Sequence, residues 1–219
     1  MGEVLTWGVP AALALLGAVV GELVRRRLST RSYRYPDERT FAEPRQWWLI
    51  PLAALVWGGL AWGLLHRPAT LVVFLLLTVP LLALAGIDQD VHRLPDRIQK
   101  PLMLLVPLLL LVPAAIEGEW GAWVRALVGG LIALVVYYLL AVVGQGGLGL
   151  GDVKLAPILG MACAWFSWIV LGIGLVAGFF LGAIWGIWLM IARGASRKDY
   201  IPLGPFLIVG ALGTVAVLA

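Results

Sequence analysis

Asp88 and Asp152 are the residues of this 219-residue chain with the most chemistry to offer. Asp88 opens the run Asp88-Gln89-Asp90-Val91-His92-Arg93-Leu94-Pro95-Asp96, and Asp152 closes Gly149-Leu150-Gly151-Asp152, ahead of Val153-Lys154-Leu155. Each stands where a long apolar segment meets a polar, basic one. A carboxylate left bare in hydrocarbon costs about 2.5–3.5 kcal/mol or more, so it is solvated, paired or at work. Taken alone, each has a plain explanation: a solvated acid beside Arg93 and Arg97, or an aspartate capping a helix after a glycine-rich turn. The same arrangement occurring twice makes the pair a candidate for proton transfer to a substrate, for ion relay or, with His92, for holding a metal.

These two residues need a scaffold, and composition names its class. With 62% hydrophobic and 13% charged residues, the chain lacks the polar surface to cover a soluble globule. A membrane span takes about 20 mostly apolar residues. That measure predicts an all-α polytopic membrane protein of about eight transmembrane helices, at 4–24, 47–65, 69–87, 100–116, 122–143, 152–167, 168–192 and 201–218. The first run follows Glu3 rather than a basic start, so it is expected to stay in the mature chain as a span. Two parts are expected: a two-helix region over 1–68 with a short basic loop at 25–46, and a six-helix core over 69–219.

Basic residues orient the chain. With the N-terminus outside, the loops at 25–46, 88–100, 144–154 and 193–200 face the cytoplasm, and they hold all but Arg67 and Arg125 of the 16 lysines and arginines. That asymmetry follows the positive-inside rule and puts Asp88 and Asp152 on the cytoplasmic side. The net charge of +4 is then topology and contact with anionic lipid. No stacking aromatics accompany the basic loops, so nucleic acid is not an expected partner.

Several other signals concern structure. Cys163 is the single cysteine, which excludes an intrachain disulfide and a cysteine-based zinc site. His66 and His92 fall at opposite membrane faces and cannot share a metal. Gly174, Gly178, Gly182 and Gly186 recur every four residues and should let another helix approach closely. Pro80, Pro107 and Pro157 are expected to kink their spans, while Trp47, Trp48, Trp120, Trp123, Trp165 and Trp168 are expected to anchor span ends at the interface. The run 144–151 should permit positive φ angles and close backbone approach. It has no lysine-serine or lysine-threonine after its last glycine and no preceding strand, which speaks against a phosphate loop.

Gly149-Leu150-Gly151-Asp152 resembles the GxGD signature of intramembrane aspartyl proteases, and with Val153-Lys154-Leu155 it resembles the type IV prepilin peptidase (leader peptidase) family. Ile87-Asp88 through Leu94-Pro95-Asp96 is similar to that family's other aspartate segment, and Ile201-Pro202-Leu203-Gly204-Pro205-Phe206 to its closing motif. Together the three motifs cover roughly residues 69–219. The resemblance implies that Asp88 and Asp152 form a catalytic dyad, with Gly149, Gly151, Lys154, Asp90, His92, Asp96 and Pro95 binding substrate or supporting it. Two carboxylates brought close cannot both ionise cheaply, so such a dyad shares one proton and can serve as base toward water and acid toward the leaving amine. No cofactor is needed.

The resemblance further implies a prepilin or pseudopilin substrate, cut between a basic leader and a hydrophobic helix by a multi-pass protein of the bacterial inner membrane. A role in type IV pili or protein secretion follows, and a homodimer stays open. Many members carry two CxxC pairs between their first spans, associated with methylating the new N-terminus. The 25–46 loop has no cysteine, so a zinc-stabilised domain is not expected there and methylation is not supported; with Pro36 and Pro44, it reads as a mostly irregular surface loop. Two other readings are weaker. A proton-coupled transporter would spread carboxylates through the membrane depth, whereas these cluster at segment ends. A metal-dependent lipid-modifying enzyme would have only Asp88, His92 and Asp152 as ligands.

Overall fold

The computed structural model describes residues 7–41, 45–144, 148–193 and 202–219. Glu3, Pro44, Gln145, Gly146, Gly147, Arg197, Lys198 and Ile201 lie outside the described residues. The described chain forms eight α-helices: α1 Val9–Ser29, α2 Leu49–Leu64, α3 Pro68–Val91, α4 Asp96–Ile116, α5 Trp120–Val143, α6 Leu150–Ala164, α7 Trp168–Arg193 and α8 Gly204–Leu218. Two 3-10 turns, Asp37–Thr40 and Gln46–Trp48, lie between α1 and α2. Five helical stretches are long and apolar enough to cross a membrane, and α8 is a shorter apolar helix. This is an all-α, polytopic membrane protein. α3 is the most buried of the five and forms the centre of the bundle, packing against α1, α2, α4 and α8.

Polar contacts gather at two opposite ends of the helices. At one end Arg67 pairs with Glu119 at 3.5 Å, and the Glu117 carboxylate accepts from the backbone N–H and the hydroxyl of Thr70 at 2.9 and 2.6 Å. There too Arg125 donates to the carbonyls of Ala164 and Phe166 at 2.7 and 2.9 Å, satisfying groups that the end of α6 leaves open. The other end holds Asp88 and Asp152, and its contacts are described below.

Three expectations change. α1 runs on through Arg25, Arg26 and Arg27, because Glu22 one turn earlier pairs with Arg25 and Arg26 at 2.6 Å each and keeps the basic turn helical. Trp165 is not an interface anchor: it is fully buried, under the turn into α7. Pro80, Pro107 and Pro157 lie inside helices that run on past them. The 25–46 segment is not a plain surface loop, since Arg34, Glu38 and Gln46 are all buried, and Gln46 donates to the Gly86 carbonyl of α3 at 2.7 Å.

The glycine stripe of α7 packs within the chain. A Cβ on Gly178 would stand 2.5 Å from the Leu207 Cα, and one on Gly174 would meet the Cys163 Sγ at 2.6 Å. Gly210 of α8 faces Gly178 from the other side. Glycine on both surfaces lets α7 and α8 touch backbone to backbone.

Candidate active site

Asp88 lies in the last turn of α3 and Asp152 in the first turn of α6. They are 4% and 5% exposed, and no ion pair among the described residues reaches either one. Both line a cavity of about 210 Å³, together with His92, Arg93, Leu94, Asp96, Gly149, Leu150, Gly151 and Lys154. Among the described residues, no three His, Cys, Asp or Glu side chains gather closely enough to hold a metal ion.

The backbone around Asp88 is set by the end of its helix. His92 caps α3 in the left-handed region at φ 52°, and its N–H donates to the Asp88 carbonyl at 2.9 Å. A non-glycine residue is uncommon there and is sustained by its surroundings. On the far side of the carboxyl, the Gly204 N–H at the start of α8 donates to Asp88 Oδ2 at 2.9 Å. A Cβ on Gly204 would sit 2.8 Å from that oxygen, so only glycine lets the backbone come this close. The Leu203-Gly204-Pro205 part of the closing motif thus has a physical role that spacing alone does not reveal.

Asp152 is held differently. Gly149, not Asp152, is the N-cap of α6, and no side chain caps the helix. Asp152 instead sits inside the first turn, where the helix N-terminus favours an anion. The described glycines of the run have ordinary backbone angles: φ is −74° at Gly144 and −67° at Gly149. Their use here is room, not handedness. A Cβ on Gly151 would lie 3.1 Å from the Leu94 Cβ, so its absence lets the 92–95 turn close on α6.

The remaining sequence candidates divide between cavity wall and scaffold. Pro95 is the N-cap of α4, and its carbonyl accepts from Ile98 and Gln99. Asp96, half exposed, accepts from Lys154 at 2.6 Å and Lys100 at 2.8 Å, so Lys154 ties α6 to α4. Asp90 is turned away from the cavity. Its carboxylate takes both Arg34 Nη2 at 2.6 Å and Nε at 2.8 Å, and the Tyr33 hydroxyl at 2.5 Å. Beside it Arg93 grips Glu38 through two bonds of 2.6 and 2.7 Å and lies 3.9 Å over the Tyr35 ring. The Arg93 guanidinium holds the Glu38 carboxyl below the usual carboxylate range, and burial followed by the Asp90 carboxylate pushes the Tyr33 phenol up. Sequence reasoning missed Arg34 and Glu38 as partners of this turn, along with Gly204 and Gln99.

Residues 74–187 match the model of the type IV leader peptidase family. The chain belongs to that family. Among curated proteins it is similar to the prepilin leader peptidase/N-methyltransferase of Pseudomonas putida, 38% identical over 154 residues covering 67% of this chain and 49% of the relative. The Pseudomonas aeruginosa protein of the same name is 34% identical over 181 residues, 78% of this chain and 57% of the relative. The chain thus spans about half the length of the curated leader peptidase relatives it matches. No solved structure matches at a significant level. The family match contains Asp88, Asp152 and the cavity they share, whereas Gly204 lies beyond its end.

Proposed function

We propose that this chain is an aspartic endopeptidase that removes the leader of prepilin- or pseudopilin-type proteins, with Asp88 and Asp152 as its catalytic pair. The observation that carries the reading is the meeting of two buried aspartates, without an ion pair among the described residues, from separate helices on one cavity. The family provides the reaction class. One carboxylate takes a proton from water as the water oxygen bonds to the scissile carbonyl carbon, while the other, protonated, hydrogen-bonds the carbonyl oxygen. The tetrahedral adduct then breaks its C–N bond, and the leaving nitrogen takes the proton.

Gly149 presents bare backbone to an extended peptide beside the pair, Gly151 yields its space to Leu94, and Pro95, Asp96, Lys154 and Asp90 hold the walls. The site faces the cytoplasm of a bacterial inner membrane in this reading. In support, Arg25, Arg26, Arg27, Arg34, Arg93, Arg97, Lys100 and Lys154 belong to the end of the bundle that bears the two aspartates. Cleavage alone is proposed, since the 25–46 loop has no cysteine for a metal-bound domain. Co-expression with prepilins and pseudopilins should give a shortened product, whose new N-terminus and methylation mass spectrometry reads directly. Unimpaired processing by Asp88→Ala or Asp152→Ala would overturn the assignment.

A further inference from the structure

Gln99 is an anomaly in α4. It shares a face with Leu102, Val106 and Leu110, all buried, and is itself 1% exposed. Its Nε2 donates to the Gly151 carbonyl at 2.8 Å, while its Oε1 is buried with no partner among the described residues. The orientation is not arbitrary, because a carbonyl must be met by the amide nitrogen. An apolar side chain would fit this face without leaving a buried acceptor unpaired, which carries a cost. The bond to Gly151 is the compensating interaction.

That carbonyl belongs to the peptide linking Gly151 to Asp152. A donor fixed to it fixes the peptide plane and, through it, the direction in which the Asp152 side chain leaves the backbone. The N-cap of α6 is a glycine with no side chain to cap it, so contacts from other helices add to the hold on its first turn. The first turn of α4 supplies two: the part-buried Gln99 bond and the half-exposed Asp96–Lys154 pair. Solvent competes more with the second than with the first.

We infer that Gln99 is a positioning residue that sets Asp152 against Asp88 by holding the Gly151 carbonyl. The inference rests on the peptidase reading for its kinetic test and on geometry alone for its labelling test. Gln99→Leu removes the donor at similar volume. In the full chain, purified in detergent and given a prepilin substrate, it should lower kcat about 10- to 100-fold, as a misplacement near 1 Å does. KM should stay within about twofold, because uniform binding is untouched, and a limb of the pH–rate profile should move. Gln99→Glu should recover more kcat than Gln99→Leu, increasingly so toward acid, where its carboxyl is protonated and can donate to Gly151. Lys100→Met, outside the cavity, is the control. Carbodiimide labelling of Asp152, read by mass spectrometry, needs no turnover: its pH dependence should move in Gln99→Leu and not in Lys100→Met. Wild-type kcat, pH profile and labelling in Gln99→Leu would overturn the inference. A labelling shift in Gln99→Leu, found while the wild-type chain cuts no prepilin, would sink the peptidase reading and leave Gln99 in place.

Discussion

Asp88 and Asp90 stand two residues apart on one helix and have opposite environments. Asp90 is locked by Arg34 and Tyr33, with every oxygen occupied and the ion pair closed to solvent at 0% and 4% side-chain exposure. Asp88 is as deeply buried, yet its one side-chain bond among the described residues is to a backbone N–H, and it borders a cavity. The difference separates scaffold from chemistry. A carboxylate gripped by a bidentate arginine is committed to structure, whereas one that faces open space can meet a substrate.

The sharpest way to break this contrast is to exchange the expected losses. Asp88→Asn or Asp152→Asn should reduce cleavage by at least about 10²- to 10⁴-fold, the scale of acid–base catalysis, while the folded chain persists. A variant that cuts normally, measured by product mass, would erase the distinction. Asp90→Ala should do the reverse. It leaves Arg34 buried without its carboxylate, a loss of about 3–5 kcal/mol, read as lower thermal or denaturant resistance, with activity per folded molecule largely kept. Replacing both partners, Arg34→Met with Asp90→Leu, should recover most of that stability, since a buried pair is often no better than apolar packing.

Gly204→Ala refines the comparison from the Asp88 side. Its Cβ must push the carboxyl or the start of α8 away, so cleavage should fall about tenfold or more with stability little changed. Lys154→Met should cost at most about 1 kcal/mol, because both members of its pair are partly exposed. The smallest effect is titration of Glu38. Its folded value is depressed by Arg93, so its contribution is complete above the unfolded carboxylate range near pH 4 and disappears as pH falls through the lower folded value. Hydrogen exchange in residues 31–41, corrected for intrinsic rates, should therefore rise only in acid, and Glu38→Gln should remove that dependence.

Much of this was legible in the sequence. Hydropathy gave the helical membrane bundle, since span length is a local property, and the two aspartates announced themselves by lying at segment ends inside recognisable motifs. What escaped was pairing over distance. Arg34 reads as one more basic residue in a positive loop, and only the folded chain brings it to Asp90, 56 positions away. The contact between Gly204 and Asp88 spans 116 positions. Gln99 did leave a trace, as a polar residue in helical register with Leu102, Val106 and Leu110, although periodicity does not say what it binds. Trp165 misled because an aromatic near a turn suits an interface and a core equally well.

The Gly204 contact also bears on how the protein is made. The amide that meets Asp88 begins α8, whereas Asp88 belongs to α3. During synthesis the Asp88-bearing helix enters the membrane long before that amide exists, so its carboxyl waits without its backbone donor while four further helices insert. Under the proposed function, cleavage would then have to wait for α8, and a chain stalled before it would carry both aspartates and still be inert.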